Sequence, residues 1–232
     1  LTGRAWRGVN EYHSEDFYRA ENFSEIGYEY YQKGQFNNAL TYFEKSLNIN
    51  IINDNQKGIA DDLNNIGSVY LSAKDINRAL KYYRQALAKN ERLGNLNGKA
   101  DNFVNIGSVY MSLRKIETAL EYFERAISIK QELNNQRGVA VVLNNIGLAY
   151  KYMENFEEAI KYYDKSLRIN KKNDYKKGIA GNFNNLGAIQ KIKGNLKRSM
   201  NYYEMALEID KEIGYYKVTL PRKTDPPLKL VL

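Results

Sequence analysis

Asparagines recur in this sequence at a fixed spacing of 40 residues, and their side chains are the first candidates for chemistry. One series consists of Asn65, Asn105, Asn145 and Asn185, and a second, one residue earlier, of Asn64, Asn144 and Asn184. An asparagine inside a helix costs roughly 0.5 kcal/mol relative to alanine, so helix propensity does not explain them. A carboxamide offers both a donor and an acceptor, which an extended peptide backbone requires of any partner. We therefore expect these side chains to hydrogen-bond a polypeptide.

The same sequence offers little to an enzyme. It contains no cysteine, which excludes disulfides, thiolate metal sites and cysteine nucleophiles. Its single histidine, His13, cannot form a multi-histidine metal site, and we interpret it as a solvated surface residue. There is no glycine-rich phosphate loop, zinc-protease motif or nucleophile elbow. We expect no catalytic residue, no metal and no cofactor.

The asparagines belong to five segments that align at the same 40-residue spacing. Each segment has a glycine preceded by an aliphatic residue, and these glycines are Gly27, Gly67, Gly107, Gly147 and Gly187. A tyrosine lies three residues after each of the first four glycines, a small residue twelve after every glycine, and an aromatic residue sixteen after. Self-similarity at such a period predicts a solenoid of stacked helix pairs.

This pattern resembles the tetratricopeptide repeat, whose consensus has a large apolar residue, then Leu-Gly, Tyr, Ala, Phe and Ala at these offsets. The first consensus position is filled by Phe23, Leu63, Phe103, Leu143 and Phe183, and the last by Ser46, Ala86, Ala126, Ser166 and Ala206. The resemblance implies an all-α fold, a right-handed superhelical solenoid of five antiparallel helix pairs. It also implies peptide or protein binding rather than chemistry. The 40-residue form is similar to the repeats of kinesin light chains, spindle-orientation adaptors, and bacterial sensor proteins and peptide receptors.

Two departures from the consensus explain each other. The helix-ending proline is absent and the period is 40 residues rather than about 34. Without that proline each second helix can run on, and six extra residues shared by two helices add close to one turn to each. For the second repeat we predict helices over 57–73 and 76–92, with Lys-Gly turns inside repeats and Asn-Gly turns, such as Asn97-Gly98, between them.

The two ends differ from the middle of the chain. Residues 1–16 fit no full repeat, and we interpret them as an N-terminal cap or part of a preceding helix. The repeats then occupy residues 17–213. Residues 214–232 contain three prolines and no helical period, which predicts an extended C-terminal tail.

Helical geometry separates a packing face from a binding face. With each repeat numbered so that the glycine is position 8, positions 4, 7, 8 and 11 share one face of the first helix, and positions 2, 5, 6, 9 and 12 lie opposite. The resemblance implies that the second face lines a concave groove and that asparagine at position 6 contacts the ligand. Besides the asparagines, the groove residues that we predict are Asp61, Asp101, Ser68, Ser108, Leu71, Met111, Leu148 and Lys151.

A second interpretation of the asparagines is structural, since they could equally bond neighbouring helices and stabilise the stack. Both roles can coexist because an amide has more bonds to make than one neighbour satisfies. A subtype of the family clamps a terminal carboxylate with lysine and arginine at positions 2, 5 and 6. Those cations are missing here, so we reject that subtype.

The net charge of +8 is unevenly placed, because most of the excess lies after residue 150. We interpret the C-terminal lysines as a solvated surface and the paired tyrosines as helix packing. No aromatic-basic face supports nucleic-acid binding. No run reaches the roughly 18–20 apolar residues that a membrane helix needs. We expect a cytoplasmic protein without membrane or nucleic-acid partners.

Three functional hypotheses follow from the sequence. The first is a scaffold that holds an extended polypeptide through the asparagines. The second is a sensory or regulatory input domain of a larger signalling protein. The third is a self-assembling structural unit, a homo-oligomer whose C-terminal tail fills another molecule's groove.

Overall fold

The helices of the chain pair in sequence order. The computed structural model describes residues 3–214, with side chains from residue 15, and every regular element in that range is an α-helix. The first helices of the pairs, the A helices, are α1 (Gly3–Gln32), α3 (Gln56–Ser72), α5 (Leu96–Ser112), α7 (Gln136–Tyr152) and α9 (Lys176–Ile192). The second helices, the B helices, are α2 (Phe36–Ile52), α4 (Ile76–Arg92), α6 (Ile116–Glu132), α8 (Phe156–Lys172) and α10 (Leu196–Glu212). The predicted all-α solenoid of five helix pairs is confirmed.

The helices end at left-handed residues rather than at prolines. One residue of each connection has a positive φ, at intervals of 20 residues: Gly34, Asp54, Lys74, Gly94, Arg114, Asn134, Glu154, Asp174 and Gly194. A left-handed residue after a helix turns the chain and lets following N–H groups bond back to the last turn, as Asn55 N–H does to the Asn50 carbonyl at 2.8 Å. This explains why the consensus proline is dispensable. The predicted Asn97-Gly98 turn was wrong, because both residues lie in the first turn of α5.

Tyrosines hold the two helices of a pair together. In each of the first four repeats two tyrosine rings stack with centroids 5.4–5.5 Å apart: Tyr30 on Tyr42, Tyr70 on Tyr82, Tyr110 on Tyr122 and Tyr150 on Tyr162. A second aromatic residue of each inner B helix is buried against the repeat glycine. A Cβ at Gly67, for example, would lie 2.8 Å from the Tyr83 ring, so the absence of a side chain there makes room for that ring. The interpretation of these tyrosines as packing residues is confirmed.

The two ends of the described region are unlike the middle. Residues 3–16 continue α1 without a break, and the predicted tail lies outside the described residues except for Gly214. On α10 an apolar stripe is exposed, formed by Leu196, Met200, Tyr203 and Leu207. The equivalent residues of α8, namely Phe156, Ile160, Tyr163 and Leu167, pack in the cluster that contains Ile179 and Phe183 of α9. The stripe is exposed because no further A helix follows within residues 3–214.

Candidate functional site

The A helices form the inner, concave side of the solenoid. Each A helix contacts the next A helix directly, whereas within the described chain no B helix contacts another B helix. Layers that approach each other on one side and separate on the other must curve towards the side of close approach. The predicted groove therefore belongs to α1, α3, α5, α7 and α9.

The asparagines form a ladder across these helices. The position-6 amide of one repeat donates to the position-5 side chain of the repeat before it, as Asn105 Nδ2 does to Asn64 Oδ1 at 2.7 Å. Asn185 donates to Asn144 in the same way at 2.9 Å. We call Asn64, Asn65, Asn105, Asn144, Asn145, Asn184 and Asn185 the asparagine ladder.

The oxygens of Asn64 and Asn144 each accept a second hydrogen bond, from the side chain at position 3 of the following repeat. Asn102 Nδ2 lies 3.0 Å from Asn64 Oδ1, and Asn182 Nδ2 lies 3.2 Å from Asn144 Oδ1. The oxygens of Asn64 and Asn144 are therefore each shared between two donors of the following A helix. The structural interpretation of the ladder thus holds for these oxygens.

The ladder is interrupted between the third and fourth repeats. Position 5 of the third repeat is Val104, which has no acceptor to offer Asn145. Among residues 15–214 the half-buried side chain of Asn145 makes no hydrogen bond. Asn184, in the last repeat, is exposed and also lacks a partner within that range. These two amides are not used by the stack.

The other predicted groove residues differ in how far their side chains are exposed to solvent. Asp61 and Asp101 are exposed at position 2, and the Asp101 carboxylate lies 2.6 Å from the buried Lys130 ammonium. Leu71, Leu148 and Lys151 are half-buried, and the Lys151 ammonium lies 6.0 Å from the centre of the Tyr152 ring.

Two serines and a methionine have less to offer a ligand than the sequence implied. Ser68 and Ser108 donate to carbonyls of their own helix, at 3.1 and 2.9 Å, so each hydroxyl retains only its acceptor role. Ser68 also accepts the Tyr83 hydroxyl at 3.0 Å. Met111 is 8% exposed and packs in the core with Phe103 and Ile146, so it supports the groove rather than lining it.

Family models of the tetratricopeptide repeat match residues 18–92 and 99–172 and, in a second model, residues 180–213. The chain belongs to the tetratricopeptide-repeat family. No curated protein sequence matches it significantly.

Solved structures share the architecture of this tetratricopeptide solenoid. The crystal structure of BtubC (BKLC) from P. vanneervenii is similar over 97% of this chain and 92% of its own, with a TM-score of 0.69 and 20% identity. A Rap protein complexed with competence and sporulation factor has a TM-score of 0.76 and 16% identity, over 85% of this chain and 54% of its own. A putative kinesin light chain from Podosopora anserina has a TM-score of 0.61 and 14% identity, over 85% and 97%. At these identities the likeness shows the fold.

A second polar network, which sequence reasoning missed, ties one tetratricopeptide repeat to the next at three of the four junctions. The last turn of a B helix carries a buried asparagine whose amide donates to position 3 of the following A helix. Asn90 donates to Asn102 Oδ1 at 2.8 Å, and Asn170 to Asn182 Oδ1 at 2.7 Å. At the end of the third repeat Lys130 replaces this asparagine and binds Asn97 Oδ1 of its own repeat at 2.8 Å.

The signal for this network was present in the sequence. Asn50, Asn90 and Asn170 share the 40-residue register, as do Gly58, Gly98, Gly138 and Gly178. Each glycine leaves the room that the buried side chain fills, since a Cβ at Gly98 would lie 2.6 Å from Asn90 Oδ1. We predict a turn at Gly98 because it follows an asparagine, whereas all four glycines are helical packing sites.

The first junction of the network contains an ionisable group. Asp62 is 1% exposed and accepts bonds from Ser46 at 2.8 Å and from Asn50 at 2.7 Å. Burial raises the pKa of Asp62 to about 6, against the opposing effect of these hydrogen bonds. Burial also raises the pKa of the neighbouring Asp61, while Lys57 lowers it and Asp101 adds to the rise.

The groove opens into a hollow at the break in the ladder. This hollow, of about 500 Å³, lies between the third and fourth repeats and has Val104 and Val141 beside Asn64, Asn105 and Arg137. It combines apolar surface with amide groups, which suits a peptide side chain and the backbone next to it. Within residues 15–214 no cluster of histidine, aspartate or glutamate has the composition of a metal site. Within residues 3–214 no helix combines the length and apolar character that a membrane span requires.

Proposed function

We propose that this tetratricopeptide solenoid binds an extended polypeptide along its concave face and that the asparagine ladder holds the backbone of that polypeptide. The observation that carries the proposal is Asn145. It lies at position 6, on the groove face, and no residue in the described part of the chain satisfies its amide. A half-buried carboxamide without a partner gains roughly 1 kcal/mol when a ligand supplies the missing bond.

The rest of the ladder also retains hydrogen-bonding capacity. Asn64 and Asn144 accept bonds through their oxygens, but their amide nitrogens donate to no residue in the range 15–214. Asn105 and Asn185 each donate one bond, and their oxygens accept none from the residues whose side chains are described. The groove thus presents donors and acceptors in alternation, as a peptide backbone requires.

The spacing of the ladder sets the length of the ligand. Packed helices lie roughly 8–10 Å apart, so four successive position-6 side chains extend over about 30 Å. An extended chain advances about 3.3 Å per residue. The ligand therefore needs about ten residues to contact Asn65 and Asn185 at once.

Charge along the groove favours a ligand with two different ends. Position 2 is acidic in the first three repeats, with Glu21, Asp61 and Asp101, and becomes Val141 in the fourth. Lys151 and Lys191 follow at position 12 of the last two repeats. A basic segment would suit the N-terminal half, and an apolar or acidic segment the C-terminal half.

The second hypothesis, a regulatory input domain, remains a candidate because of one neighbour. The Rap protein of similar fold is complexed with competence and sporulation factor, and this chain covers 54% of it. In that case ligand binding would change the pitch of the solenoid. A kinase or DNA-binding region adjoining these repeats in the full gene would favour this candidate.

The proposal is tested by a peptide selected from a random library of about twelve residues displayed against the immobilised protein. Fluorescence anisotropy of the labelled peptide measures its affinity, which we expect to be micromolar if four or five amide contacts form. Asn145→Ala should weaken binding about fivefold, because one contact of roughly 1 kcal/mol is lost. The double variant of Asn105 and Asn145 should weaken it further.

Asn77→Ala is the matched control, because Asn77 is an exposed asparagine on α4, outside the groove. It should leave the affinity unchanged. Asn145→Ala should also raise thermal stability slightly, since alanine is the better helix former and no internal bond is lost. If Asn145→Ala and Asn77→Ala bind the selected peptide equally well, the ladder does not hold the ligand.

A further inference from the structure

The turns between repeats contain a carboxamide that makes two bonds at once. Between the second and third repeats, Asn95 Oδ1 accepts the backbone N–H of Gly98 at 3.1 Å, and Asn95 Nδ2 donates to Asn90 Oδ1 at 2.8 Å. The preceding junction has the same two bonds, at the same distances, formed by Asn50, Asn55 and Gly58. One side chain thereby caps the A helix and satisfies the buried asparagine at the end of the B helix.

This carboxamide is missing between the fourth and fifth repeats. Tyr175 occupies the position, and α9 has no side-chain cap. The two groups that the carboxamide would bind are still present. Asn170 is 5% exposed and donates to Asn182 Oδ1, but its own Oδ1 accepts nothing from residues 15–214. The N–H of Gly178 likewise has no acceptor within residues 3–214.

The two unsatisfied groups lie side by side, as their counterparts do elsewhere. A Cβ at Gly178 would lie 2.7 Å from Asn170 Oδ1, and a Cβ at Gly98 would lie 2.6 Å from Asn90 Oδ1. A single carboxamide can therefore reach both groups here, as Asn95 does in its own junction.

A hollow leads to these groups from the edge of the groove. It has a volume of about 500 Å³ and is lined by Asn170, Tyr175, Gly178 and Gly181, together with the groove residue Val141. The space beside Gly181 is open, since a Cβ added there would meet nothing within 4 Å. Asn170 Oδ1 is thus an unpaired acceptor on a largely buried residue, with space in front of it.

We propose that this hollow recognises a primary carboxamide, the side chain of an asparagine or glutamine in a bound polypeptide. The ligand oxygen accepts the Gly178 N–H, and the ligand NH₂ group donates to Asn170 Oδ1. The incoming amide thus takes the place that Asn55 and Asn95 hold in the earlier junctions. That the carboxamide belongs to a bound polypeptide rests on the proposed function of the groove. That the pocket recognises a carboxamide rests only on the unpaired groups of Asn170 and Gly178.

A carboxylate fits the hollow less well than a carboxamide. It would accept the Gly178 N–H, but it would set a negative oxygen against Asn170 Oδ1 and leave that acceptor without a donor. The cations nearby have other contacts. Lys176 pairs with Glu212, and the Arg137 guanidinium lies 5.8 Å from the centre of the Tyr175 ring. The pocket therefore selects an amide over an acid.

Nuclear magnetic resonance of the ¹⁵N-labelled chain tests this selection with three small probes. Propionamide carries both the donor and the acceptor, N,N-dimethylpropionamide lacks the donor, and propionate replaces the amide with a charge. Propionamide should shift the Gly178 backbone signal and an Asn170 side-chain signal in a saturable way. The other two probes should bind at least tenfold more weakly. An equal response to all three, or no response, would overturn the proposal.

Tyr175→Asn is the matched variant, because it installs the residue that the first two junctions contain. The new side chain should cap α9 and occupy Asn170 Oδ1, which raises the thermal midpoint and abolishes the response to propionamide. A variant that is folded and still binds propionamide like the parent chain would contradict the proposal. Asn145→Ala should leave the propionamide response unchanged, so failure of this pocket and failure of the ladder are separate results.

Discussion

Replacing Asp62 by asparagine should stabilise the solenoid at neutral pH and remove part of its pH dependence. The third and fifth repeats already carry asparagine at this position, as Asn102 and Asn182, each bonded to the buried asparagine of the preceding B helix. Asp62 makes the equivalent bond with Asn50. The substitution therefore keeps the shape and the hydrogen bond and removes only a buried charge.

The size of the effect follows from the pKa of Asp62. Burial raises it from 3.8 to about 6, so at pH 7 the folded chain contains an ionised carboxylate that the interior disfavours. A shift of about two pKa units corresponds to roughly 3 kcal/mol. Below pH 3.8 the carboxyl is protonated in both states and the penalty vanishes. As pH rises from about 4 to about 6 the unfolded chain loses its proton first, so the penalty grows and is complete above pH 6.

Urea unfolding followed by circular dichroism at a series of pH values from about 4 to 8 measures this difference. Asp62→Asn should be about 1–3 kcal/mol more stable than the parent chain at pH 7.5 and nearly equal to it at pH 4. The other titrating groups, including Asp61, are common to both chains, so most of their contribution cancels in the comparison. Midpoints are comparable provided that the denaturant dependence is unchanged.

Two further variants make the test specific. Asn102→Asp places a carboxylate at the equivalent position of the third repeat. Its loss of stability relative to the parent chain should be largest at high pH. Glu121→Gln removes an exposed charge from α6 and should give a flat difference across the series. If the difference between Asp62→Asn and the parent chain does not change with pH, Asp62 is not a buried titrating group and the reasoning fails.

Two other predictions concern packing and turns. Leu167→Ala should lower the free energy of unfolding by about 2 kcal/mol because Leu167 packs against the core between α8 and α9. Leu207→Ala should lower it by less than about 1 kcal/mol because Leu207 is 50% exposed. Equal losses of stability in urea unfolding would show that α10 is covered in solution. Lys74→Gly should raise stability by about 0.5–1 kcal/mol, because Lys74 has a φ of +63° that glycine adopts without strain. A lower urea midpoint for Lys74→Gly would mean that the lysine makes a compensating contact.

The fold could be predicted from the sequence because its signals repeat. Five copies of each packing residue average out the irregularities of any one copy, so the helix pairs were predictable to within a residue at α3 and α4. The turns between repeats were harder. Their left-handed residue is glycine at Gly94 but Asp54, Asn134 or Asp174 elsewhere, so glycine alone did not mark them. The helical glycines such as Gly98 were misread because a glycine that fits a neighbouring side chain and one that turns the chain look alike in a sequence.

The sequence spacing predicted which residues share one face of the A helices, but not which of their amides hydrogen-bond to a neighbouring repeat. Spacing placed Asn105 and Asn145 on the same face, yet Asn105 donates to the preceding repeat and Asn145 does not. That difference depends on the residue 41 positions earlier, Asn64 in one case and Val104 in the other. The burial of Lys130 could not be predicted either, because it also depends on residues distant in the sequence. Its stem packs against Gly138 and its ammonium finds Asp101, contacts that charge and hydropathy alone do not reveal.

Comparison of the junctions shows which polar groups the stacking of the repeats leaves without a partner among the described residues. A bond that recurs in every junction is explained by stacking, because all junctions must stack. A junction that lacks the bond but keeps one of its partners needs another explanation, since a polar group that is partly shielded from water and lacks a hydrogen bond costs stability. Val104 leaves Asn145 in that state, and Tyr175 leaves Asn170 and Gly178 in it. Both interruptions fall in the C-terminal half of the groove, one in the fourth repeat and one between the fourth and fifth, so a single extended ligand can satisfy both.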